Sequence, residues 1–240
     1  GLSFLFSGAS MPFVKIPKRI QNKKVHFFKD MSDGFQFMWH QTGLRIILII
    51  AALSNFFSYI GIVLFLPLCQ STKSLGAQKY GIAMACYMAG AMIGFLFLSL
   101  VSVKPKNKLK LFITSNIIFN LSIIIAINQP FFIIMALFLA LSGLFNSVFN
   151  VILISTVQSS TPQESRGKVM AFITMTTQSL TPFAMAIGGV LGGILPIRVV
   201  ISAAFLIVFF ITIPSYFSKS FKNYITSDYE EQEVSNLNQS

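Results

Sequence analysis

The side chains of this chain that are able to bind a solute are uncharged, and they recur at helical spacing inside long apolar stretches. Ser142, Asn146 and Asn150 stand four residues apart, so one face of a helix would carry all three. Thr174 and Gln178 repeat this spacing further along the chain. Hydroxyl and amide groups donate and accept hydrogen bonds without carrying charge. The pattern predicts either a site for a weakly polar solute or contacts between helices.

Three more polar side chains, Asn55, Tyr59 and Tyr87, lie within two other apolar stretches. Asn and Gln inside membrane helices often bond a neighbouring helix, so this alternative stays open for each residue taken singly. A site lined by Asn, Gln, Thr and Tyr would favour large, mostly apolar solutes, neutral or cationic. It would suit phosphorylated sugars poorly, because their binding requires Arg or Lys at depth.

The same inventory excludes most chemistry inside the apolar stretches. Hydrolysis within a bilayer requires a nucleophile with a base or a metal ion, and no Asp, Glu, His or Lys lies at depth. His26 and His40 precede the first full stretch. Two lone thiols, Cys69 and Cys86, are a weak metal-binding signal. The sequence therefore predicts no enzyme, no metal site and no cofactor.

The longest apolar stretch must fold back on itself. Leu111 to Gln163 covers 53 residues without one Asp, Glu, Lys or Arg, whereas a hydrocarbon core about 30 Å thick takes roughly 20 helical residues. Asn128-Gln129-Pro130 near the middle is typical of a turn. The stretch is therefore predicted to be a transmembrane hairpin formed by Leu109 to Ile127 and Phe131 to Ser155.

Four further apolar stretches bring the predicted number of spans to six. They are Leu44 to Leu68, Tyr80 to Val103, Val169 to Leu195 and Val199 to Phe217. The composition agrees, with 54% hydrophobic and 10% charged residues and a mean hydropathy of +0.73. Only helices and closed barrels satisfy their backbone groups inside a bilayer, and the lack of alternating hydrophobicity excludes the barrel. The sequence predicts an all-α membrane protein.

Lysine and arginine are distributed unevenly between the spans, which predicts the orientation. Positively charged loops stay on the cytoplasmic side, and 15 of the 18 basic residues fall in the amino-terminal segment, the loops after the second and fourth spans, and the tail. The alternate loops hold only Lys73, Lys79 and Arg198. We therefore expect a multi-pass protein of the cell (plasma) membrane with a cytoplasmic carboxy terminus. The net charge of +11 then reflects attraction to the inner leaflet, and no nucleic-acid partner is expected.

The segments that flank the six-helix domain, residues 44–217, differ in character. Residues 1–14 are apolar but too short to cross, and the basic residues after them predict the end of a preceding, truncated transmembrane helix. Residues 15–43 are predicted to be a cytoplasmic linker, in which apolar residues between Phe27 and Gly43 recur at steps of three and four. That periodicity predicts a helix lying flat on the inner membrane surface. Residues 218–240, polar and acidic, are predicted to be a disordered cytoplasmic tail.

Several motifs give the chain a family resemblance. Residues Phe28 to Trp39 form an acidic-Gly-aromatic stretch, and the loop Thr161 to Ala171 carries a proline, an acidic residue and Arg-Gly-Lys-Val-Met. Leu66-Pro67-Leu68, Tyr80-Gly81-Ile82 and Gly188 to Gly193 continue the match. On these residues the chain resembles the carboxy-terminal half of a major facilitator superfamily transporter. Within that family it is similar to the macrolide and siderophore exporters of bacteria.

The resemblance implies an architecture and a set of site residues. The architecture is the six-helix half of a major facilitator superfamily fold, made of two inverted three-helix repeats. Its first, second, fourth and fifth spans would line a central cavity, and the third and sixth would face lipid. The substrate-binding residues so implied are Asn55, Tyr59, Tyr87, Ser142, Asn146, Asn150, Thr174 and Gln178. Glu164 and Arg166 would lock a cytoplasmic gate, or else belong to a solvated loop.

The implied function is that of half of a secondary active transporter, an efflux pump that exports hydrophobic drugs or natural products by alternating access. Its partners would be the lipid bilayer, a hydrophobic small-molecule substrate and a missing amino-terminal six-helix half. Proton coupling would run through that half, because all seven carboxylates of this chain lie in cytoplasmic segments.

Two departures from the family pattern leave alternatives open. The loop Val103 to Lys108 has neither the acidic residue nor the Arg of the family's motif, and the first five helices and most of the sixth are absent. A stand-alone six-helix substrate-binding subunit and an inactive truncated gene product are therefore the other interpretations.

The predicted orientation can be tested by chemical labelling. In a chain whose Cys69 and Cys86 are replaced by alanine, the single variants Lys106→Cys and Lys168→Cys are expected to react with a membrane-impermeant maleimide from the same side of the membrane. Gln129→Cys, in the turn of the hairpin, is the control and should react only from the other side. Reaction of the two lysine positions from opposite sides would contradict the six-span topology.

Overall fold

The computed structural model describes residues 32, 35–36, 39–72, 75–101 and 103–226, and within these residues it contains helices and no strands. Six long helices correspond in order to the six predicted spans, and a short seventh follows. They are α1 (Thr42–Ser71), α2 (Gly76–Leu100), α3 (Pro105–Asn128), α4 (Phe132–Ser159), α5 (Gln163–Ile194), α6 (Ile197–Phe217) and α7 (Lys219–Thr226).

Five of the long helices, α1, α2, α3, α4 and α6, are long and apolar enough to cross a membrane. The sixth predicted span lies on α5, which has 32 residues and so exceeds the roughly 20 that a span requires. Helix α5 is not among the five helices that are apolar enough to span. It is more polar than those five, because threonines, Gln178 and several glycines interrupt its apolar residues. The all-α membrane fold is confirmed, whereas a crossing by α5 stays a prediction.

The helices begin and end where the sequence has turn residues. The predicted hairpin is confirmed, since α3 ends at Asn128 and α4 begins at Phe132, on either side of Gln129 and Pro130. Pro105 opens α3, a position where the missing backbone N–H costs no hydrogen bond. These boundaries lie within a few residues of the predicted ones.

The helices pack in a pattern that stays the same when the two halves of the domain are exchanged. α1 packs against α5 and α6, and α4 packs against α2 and α3 in the corresponding way. α3 and α6 contact each other. Two inverted repeats, α1 to α3 and α4 to α6, would produce this pattern. The packing is therefore consistent with the predicted fold.

The closest approach between helices is the crossing of α2 and α4. A methyl group added at Gly90 would overlap the Ala140 carbonyl oxygen, and one at Gly143 would overlap the Tyr87 carbonyl oxygen. One added at Gly94 would overlap the Ser147 hydroxyl. Gly90 and Gly94, four residues apart on α2, therefore pack against α4, because only glycine lets the two backbones approach this closely.

Helix α5 carries two glycine pairs with a spacing of four residues, and only one of them packs against another helix. Gly188 and Gly192 face α1, where an added methyl group would meet Val63 or Leu64. Gly189 and Gly193 have nothing within 4 Å of the corresponding position. The pair that packs on α1 is therefore Gly188 with Gly192.

Buried polar side chains join α3 to α6. These two helices are predicted to face lipid, and the structure shows that they also pack against each other. Asn116 and Asn120 of α3 are fully buried, and Asn120 Nδ2 donates to the Asn116 carbonyl oxygen at 2.8 Å. The Thr212 hydroxyl of α6 donates to Asn116 Oδ1 at 2.8 Å. Only the outer faces of these helices, such as Leu121 and Phe210, are left exposed. Asn116 thus bonds one helix to the other, as polar residues in membrane helices commonly do, whereas the Asn120 amide bonds within α3.

The residues after α6 correct part of a prediction. The predicted disordered tail, 218–240, is wrong for residues 219–226, which form α7. Phe221 and Ile225 are buried and recur four residues apart, a spacing that the acidic composition of the later residues obscures. Residues 227–240 lie outside the described part of the chain, so their disorder stays a prediction.

Helix α7 fastens the ends of three other helices. The Phe221 ring lies 5.6 Å from the ring of Phe112 on α3. The Tyr224 hydroxyl lies 3.0 Å from Gln41 Oε1, just before α1, and 3.3 Å from the carbonyl oxygen of Ser160, just after α4. α7 therefore holds the helix ends together on the side of the molecule that is predicted to be cytoplasmic.

The described residues of the amino-terminal segment are helical. Phe35 and Trp39 stack with their ring centres 5.3 Å apart, and the Arg45 guanidinium lies 5.5 Å from the centre of the Trp39 ring. Placement of this segment on the membrane surface stays a prediction. The predicted helix end at 1–14 lies outside the described residues.

Gly90→Ala is expected to destabilise the protein, because the added methyl group must push α2 away from the α4 backbone. Overpacking of a closely packed site costs about 1–3 kcal/mol. Gly189→Ala, with open space around it, is the matched control and should be neutral or slightly stabilising. Thermal unfolding in detergent, followed by circular dichroism, measures both. Equal midpoints for the two variants would contradict the backbone contact.

Candidate functional site

A chain of hydrogen bonds links the polar stripe of α4 to α2. Asn150 Nδ2 donates to the Asn146 side-chain oxygen, and also to the Asn146 carbonyl oxygen at 2.9 Å. Asn146 Nδ2 in turn donates to the Tyr87 hydroxyl oxygen at 2.8 Å. The structure thus brings together three of the eight predicted substrate-binding residues.

Tyr87 and Asn146 line an internal cavity of about 80 Å³. The other lining residues come from α1, α2, α3, α4 and α6, and most of them are apolar. The cavity opens beside Ile62, whose side chain is 43% exposed. A single water molecule needs about 10–15 Å³ and two to four polar partners, so the mostly apolar lining makes this space better suited to one small apolar group than to several water molecules.

Sequence reasoning missed the contributions of α3 and α6 to this cavity. Phe119 and Ile123 of α3 and Phe205 of α6 form part of its wall, although both helices are predicted to face lipid. An aromatic residue at a buried helix position gives no sequence signal that separates a cavity wall from ordinary packing. Ser58, the other polar lining residue besides Tyr87 and Asn146, was not predicted either.

Asn55 joins α1 to α5. Its Nδ2 donates to the Thr177 carbonyl oxygen at 2.8 Å and lies 3.3 Å from the Thr181 hydroxyl oxygen. The amide therefore bonds a neighbouring helix, which is the alternative that the sequence leaves open. A substrate-binding role for Asn55 stays a prediction that requires these bonds to open.

The remaining four predicted residues lie in different environments. Thr174 and Gln178 are exposed on α5, and the Thr174 hydroxyl donates to the Met170 carbonyl oxygen of its own helix at 2.9 Å. Tyr59 is half-buried on α1. Ser142 is fully buried and does not line the cavity, and its hydroxyl has no hydrogen-bond partner in the described part of the chain. Of these four, only Gln178 and Thr174 are thus open to a solute outside the bundle.

The two predicted gate residues start α5. The side chain of Glu164 lies outside the described part of the structure. Arg166 Nη2 donates to the Thr161 carbonyl oxygen at 3.3 Å, and the Thr161 hydroxyl donates to the Val157 carbonyl oxygen of α4 at 2.6 Å. Arg166 therefore attaches the beginning of α5 to the end of α4, and its role in a gate stays a prediction.

No metal centre is present among the described side chains, since no three His, Cys, Asp or Glu lie close enough to hold an ion. Cys69 and Cys86 are free thiols. The polar groups of the site are thus amides and hydroxyls, which position a ligand through neutral hydrogen bonds.

The family model described as Major Facilitator Superfamily matches residues 11–234. No curated protein matches the sequence.

Asn55→Ala is expected to lower stability by removing the bonds from α1 to α5. Single interhelical hydrogen bonds in membrane proteins contribute about 0.6 kcal/mol and at most about 1.7 kcal/mol. Gln178→Ala removes an exposed amide from α5 and serves as the matched control, with no expected change. The thermal midpoint in detergent reports both variants. A midpoint for Asn55→Ala equal to that of the control would favour a ligand-binding role for Asn55 over a structural one.

Proposed function

The chain belongs to the major facilitator superfamily of membrane transporters, and we propose that it forms half of a secondary active transporter that exports hydrophobic drugs or natural products. Within the family, its motifs resemble those of the bacterial macrolide and siderophore exporters. The transporter would lie in the plasma membrane with this chain's carboxy terminus in the cytoplasm.

The observation that carries the proposal is the uncharged character of every polar group that a solute can reach within the bundle. Tyr87 and Asn146 line the cavity, and Asn150 and Gln178 are exposed on α4 and α5. Around them the lining is aromatic and aliphatic. Such a surface binds a large apolar molecule by burying it and orients that molecule through a few neutral hydrogen bonds. A phosphorylated or carboxylated substrate would lose its hydration without gaining a cation.

Energy coupling is assigned to a second six-helix bundle. Coupling to a proton gradient requires a side chain inside the membrane whose protonation differs between two conformations. The interior parts of α1 to α6, residues 46–71, 80–100, 111–128, 132–159, 169–194 and 199–217, contain no Asp, Glu, His, Lys or Arg. The coupling carboxylate would therefore belong to the partner bundle, and this chain would follow its movement.

Alternating access would move parts of this bundle as rigid bodies. The backbone contacts at Gly90 and Gly143 hold α2 to α4, so these two helices would move together. Pro182 lies inside α5, where a proline removes one helical hydrogen bond and permits a kink. Bending of α5 at Pro182 would open or close the face that carries Gln178.

Binding of a macrolide tests the proposed substrate class. The purified chain in lipid nanodiscs is expected to bind a radiolabelled macrolide and to leave glucose 6-phosphate unbound. Gln178→Ala should weaken macrolide binding about two- to tenfold, the effect of one neutral hydrogen bond. Asn107→Ala, which removes an exposed amide at the start of α3, is the control. Failure of the macrolide to bind, or equal binding of the sugar phosphate, would reject the substrate class.

Transport by the chain alone tests the assignment of coupling. Reconstituted into liposomes with an imposed pH gradient, this chain is expected to insert and to show no gradient-driven uptake of the same macrolide. Sustained uptake that collapses when the pH gradient is dissipated would contradict the assignment of the coupling group to a second bundle.

A further inference from the structure

We propose that the internal cavity beside Tyr87 is a subsite for a small apolar group that carries one neutral hydrogen-bond acceptor, a carbonyl or ether oxygen, and that the Tyr87 hydroxyl is its donor. The role of this subsite in export rests on the proposed function, whereas its chemistry depends on the cavity alone. It lies inside the six-helix bundle and is distinct from the exposed face that carries Gln178.

The size and the walls of the cavity define the apolar part of the ligand. Its volume is about 80 Å³, about half that of a 150 Å³ apolar cavity that takes benzene. Phe65, Phe119 and Phe205 dominate the wall, and a cavity with such a lining has too few polar partners to hold a cluster of water molecules. One short arm or small ring of a larger solute fits this space, and it enters beside Ile62.

The direction of the hydrogen bonds defines the polar part of the ligand. Asn150 donates to the Asn146 side-chain oxygen, and Asn146 Nδ2 donates to the Tyr87 hydroxyl oxygen. The hydroxyl therefore accepts a bond and still has its own hydrogen to donate. Within the described residues, Tyr87 donates to no protein acceptor. Its hydrogen is left for a group in the cavity that it lines.

The chain of amides makes this hydroxyl a better donor. Hydrogen bonds that run in one direction polarise one another, and the effect is greater where the surroundings are apolar. An acceptor that enters the cavity therefore gains a bond that a hydrocarbon of the same shape cannot form.

Charged ligands are excluded by the same surroundings. The cavity lining holds neither a carboxylate to pair with a cation nor a Lys or Arg to pair with an anion. A charged group would enter without a partner, at a cost that far exceeds the gain from one hydrogen bond. The subsite thus selects uncharged carbonyl and ether groups.

The test compares dimethyl ether with propane, which has nearly the same shape and no acceptor. Ser58→Cys, in a chain whose Cys69 and Cys86 are replaced by alanine, places a thiol on the cavity wall. The readout is the concentration of each compound that halves the rate at which methyl methanethiosulfonate modifies this thiol in nanodiscs. Both compounds are expected to protect the thiol.

Removal of the hydroxyl alone gives the decisive measurement. Tyr87→Phe should raise the half-protecting concentration of dimethyl ether about two- to tenfold, the effect of one neutral hydrogen bond, and leave that of propane unchanged. The matched control is Tyr80→Phe, which should affect neither compound. The Tyr80 ring packs on Phe65 of the wall, but Tyr80 itself does not line the cavity. Unchanged protection by the hydrocarbon also shows that the cavity is intact in the variant.

Three outcomes would overturn the proposal. The first is a thiol in the Ser58→Cys variant that the reagent cannot reach or that neither compound protects. The second is protection by dimethyl ether that does not depend on the Tyr87 hydroxyl, and the third is equal weakening of both compounds by Tyr87→Phe. Ile62→Trp, which narrows the mouth, should abolish protection by both compounds. Loss of macrolide binding with the dimethyl ether result intact would reject the proposed export and leave the subsite standing.

Discussion

The structure depends on one constraint, which is that a polar group inside a bilayer has no water to bond and must find its partner within the protein. The Asn55 amide donates to the backbone of α5, and the Asn116 side-chain oxygen accepts a bond from Thr212 of α6. In both cases the bond holds two helices together. Not every group meets this constraint: the buried hydroxyls of Ser142 and Thr156 have no partner among the described residues. The Tyr87 hydroxyl accepts a bond from Asn146 and donates to no protein acceptor among them, and of these groups it is the one that lines the cavity. The groups that hold the bundle together and the group left for a ligand are thus of the same chemical kind.

Close backbone contacts complement these bonds. Lipid tails are as apolar as the side chains, so helices in a membrane gain little from hydrophobic burial and associate through tight packing and hydrogen bonds. Gly90 and Gly143 let α2 and α4 touch at their backbones, and Gly188 allows the same for α5 and α1. These contacts fix which helices form pairs. The pairs α1 with α5 and α2 with α4 then correspond to each other under exchange of the two repeats.

The sequence predicts the helices well, because the bilayer permits no other structure for long apolar stretches. It predicts the environment of single residues poorly, and the stripe on α4 shows the reason. Each residue of a helix advances about 100°, so a step of four overshoots a full turn by about 40°. Over the two steps from Ser142 to Asn150 the stripe therefore rotates by about 80°. This rotation buries Ser142, places Asn146 on the cavity and exposes Asn150. The orientation of each helix about its axis is set by tertiary packing, which spacing alone does not contain.

The position of the cavity connects binding to movement. Packing divides the domain into two units, α1 with α5 and α6 and α2 with α3 and α4, and the two units meet mainly through α3 and α6. The cavity lies at this junction, since α1 and α6 supply Ser58 and Phe205 while α2 and α4 supply Tyr87 and Asn146. An occupant therefore contacts both units at once. Because α2 and α4 are locked together by glycine contacts, a group that binds Tyr87 acts on the whole second unit. A ligand at this junction favours the arrangement of the two units that fits it best, and only such differential binding can shift a conformational equilibrium.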